Sequence, residues 1–162
     1  TNTLTAGLVE KNWPQVITVM TCSRSETLGN LSTFGIDGGI STTDLQMGLL
    51  VQELEDPGIY KVYSELSSNS GGNQIYISHS TVGSWGENAP NFSFGCLKIA
   101  ATQLNLPVEI LGIQKTTSEK PILNPENKLV LASIDHIVYM ARKRFDWLGS
   151  SGQIREQIKK LT

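Results

Sequence analysis

Cysteine, histidine and charge are all scarce in this chain of 162 residues. Its two cysteines, Cys22 and Cys96, are too few for a disulfide framework, although they could form one bridge in an oxidising compartment. No Cys-x-x-Cys or His-x-x-x-His pattern occurs, and the carboxylates do not cluster, so the sequence indicates no metal site. We therefore expect neither a metal nor another cofactor.

Long apolar runs are also absent. No run reaches the roughly 18–20 residues that a membrane-spanning helix needs, so we expect no span. Charged residues make up 17% of the chain, which is below the roughly 25% of ordinary soluble domains. Ser, Thr, Asn and Gln take their place, a balance that is common in extracytoplasmic and particle-associated proteins. We expect one of these two locations.

The few charges are unevenly distributed around a net charge of −2. Residues 1–127 contain 6 Lys/Arg and 12 Asp/Glu, whereas residues 128–162 contain 7 and 3. Arg142, Lys143 and Arg144 are consecutive in the basic part. They form either a solvated face of C-terminal helices or a patch for phosphates or anionic polymers. The overall charge disfavours nucleic acid as a partner.

Apolar periodicity predicts an α+β fold in one domain, residues 1–162. We expect a largely antiparallel sheet of five to six strands with amphipathic C-terminal helices. The predicted strands are residues 15–22, 31–36, 59–66, 74–80 and 107–113, and residues 92–99 form either a strand or a strand that runs into a helical turn. The predicted helices are residues 3–13, 42–55, 128–148 and 153–161, the second with its N-cap region at Ser41 to Asp44. Residues 115–127 are the only candidate linker.

One segment, His79 to Ile99, contains both a histidine and a cysteine, joined by residues typical of loops. A nucleophilic cysteine needs a base within reach and donors for the oxyanion. Gly95 allows a tight turn before Cys96, so that N–H groups can point toward a developing oxyanion. If the flanking strands are neighbours, His79 could reach Cys96 and draw its thiol toward the thiolate.

This stretch resembles the signature of the YkuD-type L,D-transpeptidases. In that signature a histidine after a strand is followed, beyond a loop, by Ser or Thr, His, Gly, Cys, an aliphatic residue and often Arg. The matching residues are His79, Ser80, Ser93, Gly95, Cys96, Leu97 and Lys98. Residues 56–62 also resemble a strand that precedes the motif in that family. The resemblance covers residues 56–113, and Phe94 stands where the family usually has histidine.

The resemblance implies acyl transfer or hydrolysis on the stem peptides of peptidoglycan. Cys96 would attack a carbonyl and form a thioester, while His79 would act first as base and then as acid. The N–H groups of Gly95 and Cys96 would form part of the oxyanion hole. Ser80 or Ser93 would orient His79.

The resemblance also implies a substrate groove. Trp85 and Phe92 would line it, and Lys98 would contribute to substrate binding. Peptidoglycan peptide or other protein subunits are therefore the expected partners, and the chain could form an oligomer.

Two other interpretations stay open. Cys96 could be a small buried apolar residue in a non-enzymatic structural or assembly subunit of a virion, tail or surface layer. Alternatively, the basic C-terminal part could bind an anionic polymer. His136, which the pattern places on a helix, is expected to be structural, because adjacent residues such as Asp135 do not face each other there.

Overall fold

The computed structural model describes residues 2–23, 25–68, 71–86, 92–115 and 120–161. The chain divides into two compact units, Thr1–Tyr63 and Ser64–Thr162. The α+β prediction is confirmed. That the chain acts as one domain stays a prediction. Each unit is described by itself below.

The N-terminal unit is built on two short parallel strands. Strand β1 (Val19–Cys22) pairs with β2 (Gly38–Ser41), with Val19 opposite Gly38 and Cys22 opposite Ser41. Its helices are α1 (Asn2–Asn12), α2 (Ser25–Leu31), α3 (Thr42–Glu55) and α4 (Ile59–Ser67), the last running into the second unit. A small core of Ala6, Leu31 and Ile36 holds α1 and α2 together.

Local signals explain how α3 begins and ends. Ser41 is the N-cap, and its hydroxyl accepts a hydrogen bond from the Asp44 N–H at 3.4 Å, as the sequence predicts. In the last turn of α3, the Glu53 carboxylate accepts hydrogen bonds from the N–H groups of Tyr60 and Gly58, both at 2.8 Å. These bonds favour the ionised form, so the pKa of Glu53 is lowered. Glu53 thereby links the end of α3 to the start of α4.

The C-terminal unit contains an antiparallel sheet of four strands in the order β3-β6-β4-β5. The strands are β3 (Gln74–Ile77), β4 (Glu109–Gln114), β5 (Ile122–Leu123) and β6 (His136–Ala141). Tyr76 lies opposite Tyr139 where β3 pairs with β6. A bulge interrupts β4 between Ile110 and Gly112. Gly112 must be glycine, because a Cβ there would overlap the Ile122 carbonyl oxygen of the neighbouring strand.

Two helices, α5 (Phe94–Gln103) and α6 (Trp147–Lys159), pack against this sheet around one core. Leu97 and Ile154 are fully buried in it. Trp147 stacks on Trp85 with ring centroids 5.8 Å apart and meets Tyr139 edge-on at 5.3 Å. This aromatic packing fixes the segment that follows β6 against the sheet.

Several predicted elements are confirmed and others are wrong. The helices predicted at 3–13, 42–55 and 153–161 and the strands at 74–80 and 107–113 correspond to α1, α3, α6, β3 and β4, and β1 forms the second half of the strand predicted at 15–22. The sheet is smaller than predicted, with four strands instead of five to six. Residues 31–36 are no strand, because α2 ends there in the short 3-10 helix Ser32–Phe34.

The strand predicted at 59–66 is helix α4. Its half-buried side chains are Ile59, Tyr63 and Leu66, which are spaced by four and three residues as on one face of a helix. The apolar residues therefore follow the helical repeat of 3.6 residues and not the two-residue repeat of a strand. The 92–99 segment is a helix rather than a strand from Phe94 onward. Ser93 explains this outcome, because serine favours the N-cap position and its side chain accepts a hydrogen bond in the first turn of α5.

The long helix predicted at 128–148 is also wrong, because this segment contains strand β6. Ile137, Val138 and Tyr139 are consecutive and all buried, as expected of a strand with neighbours on both sides. The candidate linker 115–127 contains β5, which pairs with β4, and residues 116–119 lie outside the described part of the chain.

Candidate functional site

Cys96 lies in the first turn of α5, three residues after the N-cap Ser93. The Ser93 hydroxyl accepts a hydrogen bond from the Cys96 N–H at 3.3 Å, and the same oxygen lies 3.3 Å from the Cys96 sulfur. The thiol is half-buried and packs against the core. Cys96 and Cys22, both within the described residues, form no disulfide.

The backbone around Cys96 forms no oxyanion hole. The Gly95 N–H donates to the Asn127 carbonyl at 2.8 Å, and the Phe94 N–H donates to the Leu129 carbonyl at 2.7 Å. A Cβ on Gly95 would lie 2.9 Å from the Asn127 oxygen. Gly95 therefore allows α5 to approach this segment closely, and its donor is already used.

His79 lies elsewhere, just after β3, and is exposed. Two grooves are lined by His79, and Cys96 lines neither of them. Ser80 follows His79, and its carbonyl accepts a hydrogen bond from the Ser78 hydroxyl at 2.7 Å. The structure thus groups Ser93, Gly95 and Cys96 in one place and His79 with Ser80 in another.

The predicted substrate-binding residues do not line a common groove. Trp85 and Phe92 are core residues, only 3% and 1% exposed, and their rings stack at 6.2 Å. Lys98 lies over the Phe94 ring, with its ammonium 5.9 Å from the ring centroid. It faces a groove that it shares with Gly95, and neither histidine of the chain lines that groove.

The residues that do converge form a different site, which we call the cationic groove. It has a volume of about 560 Å³ and runs along β3 toward the ends of its neighbours. Its lining residues are Ile75, Tyr76, Ile77, Ser78, His79, Gln114, His136 and Arg144. No carboxylate of the described residues belongs to this lining.

Ser78 organises the floor of the cationic groove. It is buried, its N–H donates to the Ile137 carbonyl at 2.9 Å, and its hydroxyl accepts from the Ile137 N–H at 2.9 Å. The Ser78 carbonyl lies 2.8 Å from Nδ1 of His136. Since a carbonyl can only accept, Nδ1 carries the proton of this bond, which fixes the orientation of the imidazole.

Arg144 supplies the permanent positive charge. One of its terminal nitrogens donates to the Ile77 carbonyl at 2.9 Å, and the guanidinium lies 5.0 Å from the centroid of the Tyr76 ring. These two contacts hold the exposed side chain across β3. A guanidinium has five N–H donors, and this carbonyl accepts from only one of its nitrogens.

Further grooves meet the cationic groove at Arg144. One of about 480 Å³ is lined by Asn73, Pro107, Arg142, Lys143, Arg144 and Phe145, and this described lining again lacks a carboxylate. Another, of about 420 Å³, is lined in part by Asp146, whose carboxylate accepts a hydrogen bond from the Gly149 N–H at 2.9 Å. The basic triplet of Arg142, Lys143 and Arg144 directly follows strand β6. It lies on a loop and not on a helix face.

Part of this site differs from the sequence prediction. The sequence indicates the basic triplet but predicts His136 on a helix, whereas His136 begins strand β6. The apolar run that follows His136 was the signal of a central strand. Within the described residues, no three His, Cys, Asp or Glu side chains lie together as metal ligands would, and no helix is long and apolar enough to cross a membrane.

Comparisons with known proteins give only distant neighbours. No protein-family model and no curated protein matches the chain, so the transpeptidase resemblance gains no support there. The chain is similar to a GsuK channel bound to NAD, with 12% identity and a TM-score of 0.34, over 98% of this chain and 25% of that one. A second GsuK channel structure is similar at 12% identity and a TM-score of 0.34, over 99% of this chain and 26% of that one.

A crystal structure of the GsuK RCK domain is similar at 15% identity and a TM-score of 0.33, over 98% of this chain and 30% of that one. The chain therefore spans between a quarter and a third of the length of these proteins.

The prediction of cysteine-dependent acyl transfer on peptidoglycan is wrong. The contacts around Cys96 overturn it, because the Gly95 N–H that would stabilise an oxyanion already donates to the Asn127 carbonyl. In addition, the grooves lined by His79 do not include Cys96.

Proposed function

We propose that the chain is a binding module whose C-terminal unit takes up an anionic group, a phosphate or a carboxylate, in the cationic groove. The observation that carries the proposal is the convergence of Arg144, His79 and His136 on one groove that no carboxylate of the described residues lines. The second groove, with Arg142 and Lys143, adds positive charge on the other side of Arg144. An anion at this position would face cations from both sides.

The chemistry of the lining suits an oxyanion. Arginine donates in a fork that matches the oxygens of phosphate and carboxylate, and such charged hydrogen bonds are stronger than neutral ones. Arg144 is held over Tyr76 and bonded to Ile77, so little freedom remains to be lost on binding. A catalytic role has no such support, because no cysteine of the chain lines the groove beside its histidines.

Isothermal titration with inorganic pyrophosphate tests the proposal. We expect Arg144→Gln to weaken binding about tenfold, which corresponds to about 1.4 kcal/mol and to the loss of one charged hydrogen bond at an exposed site. The matched control is Lys159→Gln, which removes the same charge from an exposed residue near the end of α6. Equal affinities for the two variants, or no pyrophosphate binding by the unaltered chain, would contradict the proposal.

A further inference from the structure

The outer edge of strand β3 is open along its backbone. β3 is the first strand of the sheet and, among the strands that the structure describes, pairs only with β6. The Ser78 N–H donates to the Ile137 carbonyl, so alternation turns the backbone groups of Gln74 and Tyr76 toward β6 and those of Ile75 and Ile77 away from it. Among the described residues, one side chain forms a hydrogen bond to these outward-facing backbone groups: Arg144 donates to the Ile77 carbonyl.

This edge lacks the usual protection against pairing with another chain. Natural edge strands often bear lysine, proline or a bulge, and β3, which is four residues long, reads Gln-Ile-Tyr-Ile without any of these three. The opposite edge of the sheet is protected, because β5 is only two residues long and directly follows Pro121. The side chains of Ile75 and Ile77 are 51% and 42% exposed, so apolar surface accompanies the free backbone groups.

The charges beside this edge indicate what could pair with it. His79, His136 and Arg144 line the cationic groove along β3, where the described lining includes no carboxylate. A second copy of the chain paired edge to edge would bring a second Arg144 to the same short seam and, from this lining, no carboxylate to neutralise it. An incoming strand with carboxylates would instead place negative charge where the groove is positive.

We propose that β3 is a strand-addition site for an extended acidic segment of a partner protein. The backbone of the added strand would bond to the Ile75 N–H, the Ile75 carbonyl and the Ile77 N–H. Its apolar side chains would cover Ile75 and Ile77, and its carboxylates would reach Arg144. The inference rests on the proposed function for the role of Arg144, and on the free edge for everything else.

Fluorescence anisotropy of the full chain with a labelled seven-residue peptide of alternating valine and glutamate tests this inference. Ile75→Pro removes the outward N–H without removing a bond to β6, because this N–H faces away from the sheet. Ile75→Thr is the matched control, since it keeps the N–H and a residue that favours strands. Circular dichroism and tryptophan fluorescence establish that both variants are folded.

We expect Ile75→Pro to weaken peptide binding about tenfold, because about one hydrogen bond and the local strand geometry are lost, and Ile75→Thr to weaken it about threefold or less. A peptide N-methylated at alternate amides should also lose affinity, and this arm stays informative if Ile75→Pro does not fold. Equal binding of the methylated and unmethylated peptides, or of Ile75→Pro and Ile75→Thr, would overturn the inference.

Two further outcomes separate this inference from the proposed function. If the chain binds pyrophosphate through Arg144 but does not bind the peptide, the strand-addition site is refuted while anion binding stands. If the peptide binds with equal affinity to the unaltered chain and to Arg144→Gln, and Ile75→Pro abolishes binding, the free edge is supported but the role of Arg144 in choosing an acidic strand is refuted, and the pyrophosphate titration alone decides the proposed function.

Discussion

Replacement of Gly95 by alanine tests whether this glycine serves packing and not catalysis. A Cβ at this position would lie 2.9 Å from both the Cβ and the oxygen of Asn127. Overpacking of this kind costs about 1–3 kcal/mol, and a displaced backbone would also weaken the bond from the Gly95 N–H to Asn127, by about 1 kcal/mol. Alanine favours a helix by at most about 1 kcal/mol over glycine. We therefore expect the free energy of unfolding to fall by about 1–3 kcal/mol.

The assay is urea unfolding followed by tryptophan fluorescence in a Trp13→Phe background, so that the signal comes from Trp85 and Trp147 in the C-terminal core. Gly152→Ala is the control, because Gly152 lies in α6 and a methyl group there would meet no described atom within 4 Å apart from its chain neighbours and the backbone of its own helix. That variant should gain about 0.5–1 kcal/mol. If Gly95→Ala is as stable as Gly152→Ala, the packing explanation of Gly95 is refuted.

Two other predictions concern caps and turns. Glu53→Gln should lower the melting temperature of the N-terminal unit at neutral pH, since bonds from Tyr60 and Gly58 lower the pKa of Glu53. The stabilisation is present above the unfolded-state pKa and is lost as the pH falls through the folded-state pKa. The melting temperatures of the two proteins should therefore converge in acid, and a difference that stays constant with pH would contradict this prediction. Ser93→Ala should cost about 1 kcal/mol in urea unfolding, and Ser93→Asp should restore the cap; equal losses would contradict it.

Local signals allowed the correct prediction of several elements. Ser41 and the apolar spacing after it define α3, and the short β-branched and aromatic runs define β3 and β4. The errors arose where one pattern fits two periods. The spacing of Leu131, Ile134 and Val138 suits a helix, but the adjacent run into which it leads forms a central strand.

The candidate site could be predicted only in part. The basic triplet was visible as charge, yet its place depends on β6 being a strand that pairs with β3. Ser78 and His136 meet although 58 positions separate them, which no local pattern shows. The catalytic hypothesis depends on the proximity of His79 and Cys96 in the sequence. The sequence does not show that the Gly95 N–H is used in a tertiary hydrogen bond to Asn127.

The most direct test of the central claim, anion binding in the cationic groove, is a two-dimensional amide NMR spectrum of the chain titrated with pyrophosphate. An anion bound beside Arg144 should give saturable shifts of the amides of Ile77, Ser78 and His136, and these shifts should be greatly reduced in Arg144→Gln. Shifts confined to the end of α6 around Lys159, or small unsaturated shifts over the whole chain, would contradict it.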